Sequence, residues 1–124
     1  MSVTLWYEPI EKVLQAASEA AGNGEVLDLG GKYSTVVIQV VGTMTNSAIH
    51  YEGSIDGKTF VALVGINQAS GAVGVNTGAA AGIFTVPVVG IKKFRARRHG
   101  SGTAAVTVTA IATAAPAVQV TAVQ

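Results

Sequence analysis

The chain has 124 residues, 49% of them hydrophobic and only 12% charged, with a formal net charge of +1 and no cysteine. That length suits one domain with a real core. The absence of cysteine rules out disulfide staples and thiolate metal sites, and a near-zero charge argues against a global field for nucleic acid or membrane. No apolar run nears the ~20 residues that span a bilayer, and the N-terminus lacks the basic start and apolar stretch of a signal peptide. So few charges suggest that part of the surface is covered by copies of the same chain or by a larger lattice.

Residues 1–12 read as an N-terminal arm. Trp6 and Tyr7 are its large groups, and Pro9 interrupts any regular element. Such an apolar anchor either docks on a neighbour or caps its own core. Residues 10–21 (IEKVLQAASEAA) carry helical spacing and helix-favouring residues before Gly22-Asn23-Gly24. Val13-Leu14 also fits the opening of a first strand that ends in this turn, but local evidence alone favours the helix. From there the pattern is β. Val26–Leu29 is short, and Thr35–Val41 is nearly continuous and β-branched, as in a central buried strand.

Ala48–Ile55 alternates, with Ile49, Tyr51, Gly53 and Ile55 on one face and His50, Glu52 and Ser54 on the other. Asp56-Gly57 signals a tight hairpin turn, with Phe60–Val64 as the returning strand. Residues 65–82 are rich in Gly, Ala and Asn and read as a long loop with a weak strand near Val73–Val75. Ile83–Val89 contains Pro87 and is expected at an edge or a bulge. In the basic strand Lys92–Arg98, Lys93, Arg95 and Arg97 share one face, opposite Phe94 and Ala96. Ala104–Thr113 alternates cleanly. Residues 114–124 form a tail in which Val118, Val120 and Ala122 alternate, as a strand added to a neighbouring subunit would. Seven to nine short strands predict an all-β chain folded as a single β-sandwich, of which a jelly roll is one version, with arms at 1–12 and 114–124 around a domain at 13–113.

Catalytic chemistry is not legible. The two histidines, His50 and His99, have no nucleophile elbow or ligand spacing around them and read as surface residues. Glu52 and Asp56 are imaginable as paired carboxylates, but turn chemistry already explains Asp56. The Gly-rich 71–78 segment lacks dinucleotide or phosphate-loop spacing. No enzyme, cofactor or metal is expected. The one candidate site is the ridge Lys93, Arg95, Arg97. It is suited to phosphate, a sulfated glycan or an acidic protein face, including the acidic N-terminal segment (Glu8, Glu11, Glu19, Glu25, Asp28) of its own or a neighbouring chain. Without stacking aromatics or a wider basic field, nucleic acid is not expected as a partner.

Three segments, TVVIQVVGT, YEGSIDGKTFVAL and GIFTVPVVGIKKFRARRHGSGTAAVTVTA, together resemble small bacteriophage and prophage virion proteins. The likeness runs from about Val26 to Ala110. This chain departs from it in a longer acidic N-terminal stretch and in Arg98, where relatives often carry a small or apolar residue. The resemblance implies an extended conformation for 13–21 and a virion structural role, with assembly in the host bacterial cytoplasm. The implied place is decoration or cementing of a capsid as a homotrimer against the major capsid protein or another virion protein. The partner contacts expected are Trp6, Tyr7, Lys93, Arg95, Arg97, Val118 and Val120. The alternatives are a tail or fibre part, or a glycan- or host-surface-binding module using Tyr33, Tyr51 or Trp6 as stacking platforms.

Overall fold

A computed structural model describes residues 2–4, 8–114 and 119–121, with side chains for residues 8–114. The chain is all-β, with no helix among the described residues. The strands, in chain order, are β1 (Ser2–Thr4), β2 (Ile10–Ser18), β3 (Val26–Asp28), β4 (Thr35–Gly42), β5 (Ser47–Ser54), β6 (Val61–Ala62), β7 (Gly65–Asn67), β8 (Val73–Gly74), β9 (Gly82–Pro87), β10 (Lys93–Gly100), β11 (Val106–Thr113) and β12 (Gln119–Thr121). A six-stranded sheet in the order β2-β11-β4-β9-β7-β8 packs on a four-stranded sheet in the order β3-β10-β5-β6. All pairings are antiparallel, and the result is the β-sandwich that the strand spacing predicts. Trp6, Tyr7 and Val118 lie outside the described residues. Val120 lies in β12, which pairs with β1 of the same chain, Val3 opposite Val120.

The core comes from one face of each strand. Val36, Ile38 and Val40 on β4 meet Val106, Val108, Ala110 and Ala112 on β11 and Phe84 and Val86 on β9. From the smaller sheet come Leu27, Ile49, Tyr51, Phe94 and Ala96. Tyr51 and Phe84 cross between the sheets, with ring centroids 6.2 Å apart. The alanines on β10 and β11 keep the layers close, and this small-residue core is where much of the apolar content goes.

Residues 10–18 form a strand, which answers the helix-or-strand ambiguity. Helical spacing fails because the two sheets leave an open sheet edge beside β11, and pairing satisfies a whole row of backbone groups there. β2 is not a regular edge. Its register with β11 slips at two places, and Ala17 takes a positive φ of 47°. These irregularities turn β2 toward the smaller sheet, where Lys12 donates to the Val26 carbonyl and Glu25 N–H to the Leu14 carbonyl.

Three local expectations are corrected. Asp56-Gly57 is not a two-residue turn, since β5 ends at Ser54 and β6 covers only Val61–Ala62. Instead, Asp56 Oδ1 gathers Lys58 N–H, Thr59 N–H and the Ser54 hydroxyl at 2.7–2.8 Å, building a wider loop around Gly57 (φ 78°). Ile55 therefore leaves the core face and is 65% exposed. The 65–82 segment holds the expected weak strand as β8 but is not otherwise a loop, because β7 pairs with both β8 and β9 and extends the large sheet. β9 is neither an edge nor bulged. Pro87 is its last residue, beyond the reach of β7, which stops at Thr85, so the missing N–H costs no ladder bond.

Candidate interaction surfaces

Pairing between β5 and β10 sets the register of the charged face. Arg95 stands opposite Glu52, Arg97 opposite His50 and His99 opposite Ala48. Lys93, Arg95 and Arg97 all point out of the sandwich, with Phe94 and Ala96 in its core, as the alternation predicts. The ridge is not a row of open cations. Glu52 sits between the two arginines, its Oε1 accepting from Arg95 Nε at 2.8 Å and its Oε2 from Arg97 Nε at 3.0 Å. Burial pushes the Glu52 carboxyl up, but hydrogen bonds from Arg95 and Arg97, with their charges, outweigh it and hold the carboxyl below its ordinary range. Lys93 pairs with Asp28 at 3.7 Å in an exposed position, a contact of small energetic value.

The Asp56 loop has a role in this face. It returns the chain so that the Phe60 ring lies 4.2 Å from the Arg95 guanidinium carbon, a stacked cation–π geometry. Three hydrogen bonds hold Asp56 in its charged form, those from Thr59 N–H and Lys58 N–H first and that from Ser54 after them, so its pKa is strongly lowered. Further along, the His50 and His99 rings meet edge to face at 5.4 Å. Both histidines are surface residues, as the sequence reading expects, and they continue the charged face. Sequence reading missed Glu52 and Phe60 as members of the site. The signal available was parity, since Glu52 shares the polar face of β5 with His50, but the partner strand's register is needed to set it between two arginines.

Arg98, the residue that departs from the family pattern, is placed apart from the ridge. It belongs to the same basic run but points inward and is 1% exposed. Its guanidinium donates from Nη1 to the Ser18 carbonyl and hydroxyl and from Nη2 to the Ser47 hydroxyl and Gly102 carbonyl. Nε has no partner among the described residues. Arg98 thus ties the end of β2, the start of β5 and the β10–β11 turn together at one end of the sandwich.

The second surface is the outer face of the six-stranded sheet. β4 is central, but only one of its faces is covered, and Val37 and Val41 point outward. Beside them are Ile111 and Thr109 on β11, Ile83 and Thr85 on β9, Ile66 on β7 and Val13 on β2. Glu11 is the charge that the strand registers put on this face among the described residues. Val13, Val41, Ile66, Ile83 and Ile111 are all at least 36% exposed. Of the stacking platforms expected for a glycan, Tyr33 and Tyr51 are buried in the core, and Trp6 lies outside the described residues. No group of three or more metal-ligating side chains occurs among the described residues.

Two solved structures share the fold. The SPBc2 prophage-derived protein YomS is 20% identical with a TM-score of 0.75, covering 85% of this chain and 92% of its own. The PBSX exported protein XepA is 17% identical with a TM-score of 0.77, and it covers 85% of this chain. This chain spans 37% of XepA's length. Both relatives are prophage-derived, so the resemblance to phage proteins stands at that level. No curated protein matches the sequence. The XepA family model matches residues 8–112, most of the chain, and the chain belongs to the XepA family.

Proposed function

We propose that this chain is a non-enzymatic phage structural protein that works as a homo-oligomer, in the particle as a capsid decoration or cementing subunit. The observation that carries this reading is the outer face of the six-stranded sheet. A monomer in water gains little from placing Val13, Val37, Val41, Ile66, Ile83 and Ile111 on one broad face that, among the described residues, is relieved only by uncharged groups such as Gln39 and Thr109 and by the Glu11 carboxylate. A second copy gains the burial of that face, at about 25 cal/mol per Å² of apolar area removed from water. Repetition by symmetry then lets modest contacts accumulate. The description of the relative XepA as exported suits a place in the particle or outside the host cell.

The test is the solution mass of the full chain by light scattering, beside an Ile83→Lys/Ile111→Lys variant. A trimer that becomes a folded monomer in the variant supports the proposal, and a monomeric wild-type chain overturns it. Sedimentation of the labelled protein with purified heads and, separately, with purified tails then distinguishes decoration from a tail or fibre part.

A further inference from the structure

We infer that the outer face of the smaller sheet is an oxyanion site, in which the guanidinium forks of Arg95 and Arg97 take a phosphate group carried by a ligand. The site is independent of the apolar face that carries the assembly reading. Each arginine is held by its Nε alone, Arg95 on Glu52 Oε1 and Arg97 on Glu52 Oε2. Among the described residues no hydrogen bond reaches the Nη nitrogens of either. Glu52 therefore aligns two forks and neutralises only one of their two charges. Phe60 adds a second restraint by stacking on Arg95. The side chains are 20% and 28% exposed, which fixes them without closing them to solvent.

A face built only for stability would use the Nη groups as Arg98 does, where both Nη nitrogens are occupied. Here they carry no hydrogen bond among the described residues, while Nε is fixed on Glu52. His50 and His99 lie beyond Arg97 on the same face and add no carboxylate to it. The Glu52 carboxylate already spans both arginines through Nε, one oxygen on each; a phosphate offers a third oxygen and a higher charge for the Nη groups that remain. Two forks on alternate residues of a strand, ~7 Å apart along it, favour the phosphate.

The experiment titrates inorganic phosphate into the full, isotopically labelled chain at low ionic strength, reading the arginine Nε–H resonances. Arg95 and Arg97 should shift together and saturate with a dissociation constant on the order of 1 mM or below, while Arg98 stays still. Arg97→Lys keeps a cation beside Glu52 and the fold with it, yet should weaken phosphate binding by about tenfold because the fork is lost. Non-saturating shifts, or equal binding by Arg97→Lys, overturn the site. Equal shifts with acetate, or shifts that follow protein concentration without phosphate, overturn it in favour of carboxylates, the latter those of a second copy.

Discussion

The side-chain amide of Gln15 donates to the main-chain carbonyl of Ala96, 2.8 Å away across the sandwich. β3 pairs with β10 only as far as Arg95, and Gly22 next meets β10 at Arg98. Gln15 fills the gap, bonding Ala96 on one side and the Gly22 carbonyl on the other, and is itself 5% exposed. Replacing it with Leu keeps the volume and removes the donor from a buried carbonyl. Gln15→Leu should cost about 1–3 kcal/mol. The check is urea denaturation, with a lower midpoint and an unchanged slope.

Arg98 is a cation taken out of water with four hydrogen bonds and no carboxylate partner among the described residues. Its contribution is to satisfy acceptors from three segments at once. Arg98→Lys keeps the charge but concentrates the donors on one nitrogen, which cannot face Ser18, Ser47 and Gly102 together. The expected loss is about 2–4 kcal/mol. Arg98→Met should cost less than Arg98→Lys, because it fills the volume without burying a charge. Parallel denaturation curves of the two variants decide the order, and a Lys variant as stable as wild type would remove the argument.

Both residues show where the sequence was legible. Alternation alone put Phe94 and Ala96 in the core and Lys93, Arg95 and Arg97 outside, because one buried face leaves a strand no other choice. The same alternation sends Arg98 inward, where packing shows it buried with four hydrogen bonds. The β2 strand is less legible. Its alanines and glutamate favour helix locally, and only the long-range pairing with β11 overrides them. Asp56-Gly57 signals a turn, and the turn is there but longer than two residues. Ser54 competes for the Asp56 carboxylate and widens the loop, a contact that turn preferences do not contain.

Gly100, at the end of β10, has φ of 114°, and a Cβ there would stand 2.2 Å from the Asn46 carbonyl oxygen. The obstacle is backbone, so no rotamer relieves it. Gly100→Ala should destabilise the domain by on the order of 3 kcal/mol. Gly71 also has positive φ, at 74°, but no atom within 4 Å of a built Cβ. Gly71→Ala should therefore cost only the conformational strain, about 1–2 kcal/mol. Melting temperatures of the pair separate steric conflict from strain, and equal losses would show that the Asn46 contact is relieved by movement.

Stability should fall as the solution is acidified, beginning near neutrality. The pKa of His50 is lowered from its ordinary 6.5, first by burial and then by the charges of Arg97 and His99 on β10, against an opposing pull from Glu52 on its own strand. Asn76, which bridges to His50 from the next segment, adds no charge. The folded chain thus binds fewer protons than the unfolded chain as pH drops through 6.5. Stability present above that pH is lost below it, until the folded His50 also titrates. Glu52 acts in the same direction at lower pH, since its lowered carboxyl pKa gives stability that disappears as pH falls below about 4.5 and through the folded value. Urea midpoints between about pH 7 and pH 5 should decline in the wild type and decline less in His50→Gln. Midpoints that decline equally in both would mean that another group carries the acid sensitivity.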